Sequence, residues 1–346
     1  MSKLLKCLFL LGAFCCITLC ESTQYKIHPL GLDSATSSYP WIMNGKGDLL
    51  GTFETKGESL RKIFIWNKDT GTVVVDQIRK GSSAVGLNNL GQITGNFRSL
   101  DGWIISKWQT HPYFWSASEK SFFSSGFSDI GMIGSEDTYS LGIDDEGNIL
   151  LLCSKDNQLY FWSQGKTTIL KGASNIFCEG SIHNARLNNR KQIAFVQKDA
   201  QNKMEVFLMD VVTEEKRSIL KNTNGVPYVY ALNDEGDIAG IIKSQGKKKG
   251  FIAHRDGSIE YMDNFFPQAI RDDGMAVGQM LVGDNYLGAI YEHGKVTNIH
   301  DLMLPPEQQS LAYDQIYTLT GISNDGLICA CVSTAGVKQA VVLIPE

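Results

Sequence analysis

Leu232-Asn-Asp-Glu-Gly-Asp-Ile-Ala-Gly240 decides the fold, because its pattern returns six more times along the chain. An apolar residue is followed by Asn or Asp, two mostly polar residues, Gly, one variable residue, and a short apolar run that often closes on Gly. The other copies are Met43-Asn-Gly-Lys-Gly-Asp-Leu-Leu-Gly51, Leu87-Asn-Asn-Leu-Gly-Gln-Ile-Thr-Gly95, Ile143-Asp-Asp-Glu-Gly-Asn-Ile-Leu-Leu151, Leu187-Asn-Asn-Arg-Lys-Gln-Ile-Ala-Phe195, Ile270-Arg-Asp-Asp-Gly-Met-Ala-Val-Gly278 and Ile322-Ser-Asn-Asp-Gly-Leu-Ile-Cys-Ala330. The glycine position falls at 47, 91, 147, 191, 236, 274 and 326, at intervals of 44, 56, 44, 45, 38 and 52. A period of about 46 residues is the spacing of propeller blades. It overrides the prior of about 150 residues per domain, which would cut the chain in two.

The chemistry of the pattern is a hairpin. The apolar residue ends one strand. Asn/Asp-x-x-Gly makes a tight turn, in which the Asx side chain bonds the local backbone and Gly takes a positive φ. Lys191 stands in place of Gly in the fourth copy, which predicts a strained turn or one of another type. An aromatic third strand follows, as in Ile63-Phe-Ile-Trp66, Tyr113-Phe-Trp115, Leu159-Tyr-Phe-Trp162 and Gly250-Phe-Ile252. A short fourth strand comes next, such as Thr72-Val-Val-Val75 or Val296-Thr-Asn-Ile299. The seventh copy supplies only three strands, at 317–322, 327–332 and 339–344. Its missing strand is Tyr25-Lys-Ile-His-Pro-Leu30, which resembles Val296-Thr-Asn-Ile-His-Asp-Leu302. The prediction is an all-β, seven-bladed β-propeller over 21–346, a single domain whose N-terminal strand completes the last blade and closes the ring. Closure removes the open sheet edges that invite aggregation.

This pattern is similar to the bacterial HAF family of extracellular repeats, with its Ile-Asn-x-x-Gly-x-Ile-x-Gly turn and an Ala-Phe-x-Trp strand after it. Phe114-Trp115 and Phe161-Trp162 match that strand best, and the resemblance covers nearly all of 25–346. Lys191, Arg271 and Ser323 depart from the turn, and Val206-Phe-Leu208 lacks the Trp. The resemblance implies export and a propeller-like fold. It implies no reaction and no functional residue.

Composition narrows the function classes. With 43% hydrophobic and 20% charged residues, the chain is not of the disordered type. A net charge of −5 argues against nucleic acid as a partner, since phosphate binding needs a concentrated basic surface. Residues 1–20 read as a leader. Lys3 and Lys6 precede an uncharged, near-apolar run from Cys7 to Cys20, short for a membrane span and apt for a signal-peptide core. Leu19-Cys20 resembles a lipobox poorly, so Cys20 is a lipidation candidate beside ordinary cleavage. The expected location is periplasm, cell envelope or exterior, with a monomer expected. Cys153, Cys178, Cys329 and Cys331 read as small buried hydrophobes, and a Cys153–Cys178 bridge stays open as an alternative.

A site is sought among the loops. Strands of a blade alternate in direction, so first-to-second and third-to-fourth turns share one face. Second-to-third loops and blade crossings share the other. The long stretches 97–111, 124–138, 171–182 and 301–315 all fall on the second face, where long loops tend to carry function. Trp103 and Trp108 lie in the longest insertion, and Tyr313 in a crossing. Tyr39, Tyr139, His183, Tyr228 and Phe266 recur four residues before each turn's apolar residue, at the entry of the innermost strand. They are candidate stacking residues for a protein, peptide or glycan ligand; packing between blades is the competing role. No metal spacing, P-loop, dinucleotide fingerprint or Gly-x-Ser-x-Gly occurs, so no cofactor or catalytic residue is called. Asp101, Glu136, Asp137 and His183 would serve an alternative reading as a propeller lyase or hydrolase on glycan or peptide.

Overall fold

The structure is a computed structural model that describes residues 23–79, 81–101, 107–121, 124–179, 182–199, 201–221 and 223–346. The leader expected at 1–20, with Cys20, lies outside the described residues. Seven four-stranded antiparallel sheets surround a central channel. Six of them cover residues 35–74, 83–129, 138–169, 185–220, 226–262 and 265–298 in chain order, each with its first strand innermost. The seventh takes three strands from 315–345, and its outermost strand is Tyr25–Pro29. That strand pairs antiparallel with Val337–Pro345, from Tyr25 against Pro345 to Pro29 against Val341. The ring is thus closed by its N-terminal strand, as the likeness of 25–30 to 296–302 predicts.

The core is divided among the blade contacts. Each of the seven has its own apolar cluster. Between blades 2 and 3 the buried cluster is small: Phe114, Ile143, Ile149 and Leu151. Polar groups supplement it there. The Thr94 and Ser140 hydroxyls lie 2.6 Å apart, and Asn96 exchanges two bonds with the Ser140 backbone, at 2.7 and 3.2 Å.

The repeat explains itself atom by atom. In blade 5 the Asn233 N–H donates to Asp237 O (3.1 Å) and the Gly236 N–H to Asn233 O (3.2 Å). Gly236 has φ +88°, so the loop is a type I turn closed by a left-handed residue. The same two bonds recur at all seven copies. Lys191 adopts this geometry too, at φ +57°, and its ammonium sits 2.8 Å from Glu146 of the previous turn. The turn type is unchanged.

The terminal glycine has a different duty. Gly51, Gly95 and Gly240 pair across the ladder with Phe64, Tyr113 and Phe251. The aromatic ring lies over the glycine and fills the space that a side chain would take. A Cβ on Gly240 would stand 2.0 Å from Tyr228 O and 2.9 Å from the Phe251 ring. The Gly and the third-strand aromatic are therefore one device.

The turns also join blade to blade. The Asn44 amide donates to Asn88 O, Asn88 to Asp144 O, Asn188 to Asn233 O and Asn233 to Arg271 O, at 2.8–2.9 Å. The next residue works in parallel: Asp145 accepts from Asn89 N–H, Asn189 from Asp145 N–H, Asp234 from Asn189 N–H and Asp272 from Asp234 N–H, at 2.8–2.9 Å. Hydrogen bonds of the motif thus run around one mouth of the channel.

Blade 3 carries the pair in reverse, with Asp144 bonded to the Asn148 amide at 2.8 Å. A carboxylate has no proton to offer the next blade. Burial also holds the Asp144 carboxyl above its ordinary range, against the opposing bonds from Asn148. An acid with a raised folded pKa contributes stability below its unfolded pKa, and loses it as pH rises through the folded value. We expect Asp144→Asn to stabilise the ring by about 1 kcal/mol at neutral pH, with a smaller gain at acid pH. Urea unfolding of both proteins at pH 7 and pH 4 measures this, and an equal or greater gain at pH 4 contradicts it.

Two stretches read as irregular are strands. Ile93–Asp101 and Lys107–Ser121 form a long hairpin, and Ser124–Asp129 is the fourth strand of blade 2. An outer strand pairs on one side only, so a Ser- and Gly-containing segment suffices. The crossing near 301–315 keeps two short 3-10 turns, Ile299–Leu302 and Pro306–Gln308.

Candidate functional site

The channel encloses a cavity of about 1010 Å³. Its walls are the innermost strands of all seven blades. Six of these strands carry a β-bulge two residues before the turn's apolar residue, at Trp41, Val85, Leu141, Tyr230, Gln268 and Thr320. A bulge re-aims a side chain and breaks the simple alternation. Each of these bulge residues lines the channel. Blade 4 has no such shift in its first pairing and contributes Arg186 instead.

The two ends of the channel differ. At the turn end, Asn89, Asp145, Asn189, Asp234, Asp272 and Asn324 line the mouth. Most of their side chains are bonded to neighbouring turns, as described above. Toward the loop-rich end, the long hairpin of blade 2 brings Arg98 to the wall. Its guanidinium lies 6.0 Å over the Trp108 ring, and Trp108 is 54% exposed.

Arg186 stands deeper. Its Nε donates to Tyr230 O at 2.9 Å and its Nη1 to Ala185 O at 2.7 Å. The side chain is half-buried by contact with channel solvent, yet protein encircles it. Burial pulls the guanidinium down to about 10, opposed by the nearby Tyr230, so it stays charged at neutral pH. Tyr230 is pushed up by burial, partly countered by Arg186.

The sequence-selected aromatics divide by depth. Tyr139 lines the channel, half-buried, and packs against the core between blades 3 and 4. Tyr39 is half-buried under the Arg61 guanidinium (5.1 Å) and stacks on Trp41 at 6.4 Å. Tyr228 is 2% exposed between blades, where its hydroxyl donates to Glu179 and Lys243 covers its ring at 4.2 Å. Phe266 is buried against Tyr286, at 5.9 Å. Tyr313 stacks on His300 at 5.6 Å in the last crossing. His183 falls in a two-stranded ribbon with Cys178 opposite it. Trp103 lies outside the described residues. Tyr139 therefore lines the channel and Tyr39 reaches it only through its contact with Trp41, whereas Tyr228, Phe266 and Tyr313 are packed into blade contacts.

Glu136 and Asp137 are not among the residues that line the channel, and the Asp101 side chain lies outside the described ones. Asp137 accepts the Thr110 N–H, and Glu136 lies 4.0 Å from Lys155. Cys153, Cys178, Cys329 and Cys331 are free thiols, so the Cys153–Cys178 alternative is not realised. Burial lifts Cys178 to about 11 and Cys329 to about 12.

Sequence reasoning missed Trp41, Arg186 and Tyr230. Trp41 and Tyr230 sit at bulges, which leave no mark in the sequence; the signal for Arg186 was the residue just before each turn's apolar residue, which is Ile42, Gly86, Gly142, Arg186, Ala231, Ala269 and Gly321 through the blades. A column of mostly small residues with one Arg marks an exception.

The fold's relatives are propellers. The chain is similar to the β-propeller domain of the trilobed protease from Pyrococcus furiosus, with 10% identity, a TM-score of 0.58 and coverage of 90% of this chain and 95% of that one. That domain has an open velcro topology, whereas here the N-terminal strand is paired. Streptogramin B lyase is similar at 11% identity and a TM-score of 0.56, over 94% of this chain and 98% of that one. The likeness to TolB from Acinetobacter baumannii is weaker, with 12% identity and a TM-score of 0.44 over 69% of this chain and 63% of that one. At such identities the likeness is one of fold. No family model matches the sequence, and no curated protein matches it.

Proposed function

We propose that this propeller is an exported binding module, and that its ligand enters the channel from the loop-rich face. The observation that carries the reading is the channel wall, where Trp41 and Tyr230, each at a bulge, line the open volume that Arg186 also lines. Trp41 is 45% exposed although it lies on an innermost strand, and its indole N–H is fixed on Thr52 at 2.9 Å. The fold has no need of a tryptophan there. A held, accessible aromatic face suits a ligand that stacks. Trp108 with Arg98 offers a second such face at the entrance. Export rests on the leader-like residues 1–20 and on the resemblance to HAF repeats. Labelled-palmitate incorporation that depends on Cys20 would add a lipid anchor.

The test is a glycan and peptide array read with the mature protein, Trp41→Ala and Trp108→Ala. We expect selective capture that falls at least tenfold in Trp41→Ala while the melting curve is kept. Capture unaffected by both substitutions contradicts the channel as the site.

A further inference from the structure

We propose that the loop-rich face docks on an anionic bilayer surface, with the blade 2 hairpin as its apolar contact and the lysines of blades 4 and 5 as its charged one. This goes beyond the channel reading and does not rest on it. The first ground is the length of one hairpin. The second and third strands pair over nine residues in blade 2, against five in blades 1 and 3 and seven in blades 4 to 7. Counted from the turn end, the eighth rung is Leu100 opposite Trp108, one beyond the ladder of any other blade. Leu100 is 52% exposed and Trp108 54%. The alternation of the pleat puts Arg98 on the same face, with its guanidinium over the Trp108 ring. The opposite face is occupied, since the Gln109 amide donates to Ser135 O at 2.7 Å. The fold thus covers one face of the hairpin and leaves an apolar pair open on the other. In sequence, the connection 102–106 reads Gly-Trp-Ile-Ile-Ser and adds no charge.

The second ground is the sign of the charge. The second-to-third hairpins of blades 4 and 5, with the crossings that follow those blades, span 198–205, 221–225, 243–249 and 263–264. They hold seven lysines against Asp199, Glu205 and Asp263. Glu179 joins this sector 3.8 Å from Lys243, and Asp263 holds Lys249 at 3.2 Å. Among the described residues no carboxylate pairs with Lys203, Lys221, Lys247 or Lys248, and all four are exposed. Lys243 stands directly opposite Lys248 in the ladder, an arrangement of like charges that costs the fold. The far face has the reverse sign, for its seven first-to-second turns hold ten acids against four bases. An anionic surface therefore draws the disc in with the loop-rich face first. The third ground separates lipid from protein. Lysine is depleted in protein–protein interfaces, whereas Trp and Leu accompanied by Lys and Arg suit the water–bilayer boundary. Blades 2 and 5 are three apart in a ring of seven, so a flat, extended surface meets both contacts at once.

Vesicle sedimentation of the mature protein tests this. The probes are vesicles of phosphatidylglycerol and phosphatidylcholine in equal parts, and of phosphatidylcholine alone. We expect binding about tenfold tighter to the anionic vesicles, weakened by added salt. Leu100→Ser combined with Trp108→Ser should cut that binding about tenfold. Lys247→Glu combined with Lys248→Glu should remove the preference for anionic lipid. Val212→Ser is the control, because Val212 is 74% exposed on a third-to-fourth turn of the opposite face. All five side chains are exposed, so the variants should keep the parent's melting curve. No binding to the anionic vesicles, binding kept without Leu100 and Trp108, or an equal loss in Val212→Ser overturns the proposal. Equal binding to both kinds of vesicle overturns it as well, since charge then plays no part. Self-association without lipid, read by analytical ultracentrifugation and abolished by Trp108→Ser, would make a second copy the occupant and also overturn it. The vesicles carry neither glycan nor peptide, so the array with Trp41→Ala decides the channel reading separately.

Discussion

A protein lacking residues 25–31 should fail to hold its ring. The deleted strand buries Tyr25, Ile27 and Leu30, each under 10% exposed. Each such side chain is worth about 1.5–3 kcal/mol. The ladder to 341–345 is also lost, together with Ile27 N–H to Gln309 Oε1 (2.8 Å) and Leu304 N–H to Tyr25 O (2.9 Å). The sum approaches the whole net stability of a typical protein, about 5–15 kcal/mol. The strand Val337–Pro345 would become a long apolar edge, a template for pairing with other chains. The expected result is loss of the cooperative melt, with aggregation. A synthetic peptide of residues 23–31 added in excess should restore the melt. A deletion protein that melts like the parent shows that closure is dispensable.

Gly240→Ala should be among the most damaging single methyls. Its Cβ would stand 2.0 Å from the Tyr228 carbonyl, a contact that only backbone movement relieves. The Phe251 ring at 2.9 Å would have to leave the core between blades 4 and 5. We expect a loss of about 3 kcal/mol or more, read as a fall in the urea midpoint. Gly142→Ala is the control, because its Cβ meets nothing closer than 3.8 Å. That variant should stay within about 1 kcal/mol of the parent. Equal losses at the two positions would separate the damage from the close approach.

These two results rest on features with unequal visibility in the sequence. Blade number and hairpin positions follow from the nine-residue pattern, because each of its residues has a local task, and ring closure follows from the likeness of 25–30 to 296–302. Asn233 binds its own turn and the next blade, Gly236 takes the left-handed φ, and Gly240 yields space to Phe251. Blade 2 was harder to read. The strand Ser124–Asp129 is mostly polar, and its pairing is set by the neighbour rather than by its own propensity.

The channel wall was the least legible. Period-two alternation places Tyr39 and Trp41 on the same face, as it does Tyr228 and Tyr230. The bulge residue breaks that parity. Tyr228 goes into a blade contact and Tyr230 to the channel. A bulge leaves no single-residue signature, so aromatic spacing alone selected the residue two places early. Arg186 was visible only as a departure from a column of small residues, and its meaning needed the cavity.

The seven separate apolar clusters have a consequence for local opening. In a linear array, the terminal units touch one neighbour and exchange their amide protons first. Here every blade has two neighbours, and Glu346 N–H donates to Gln24 O at 3.0 Å across the seam. Peeling away any blade exposes two clusters at once, so slow-exchanging amides should be spread around the circle. The contact between blades 2 and 3, with its small buried cluster and its polar bridge, is the place where such a circle would first part.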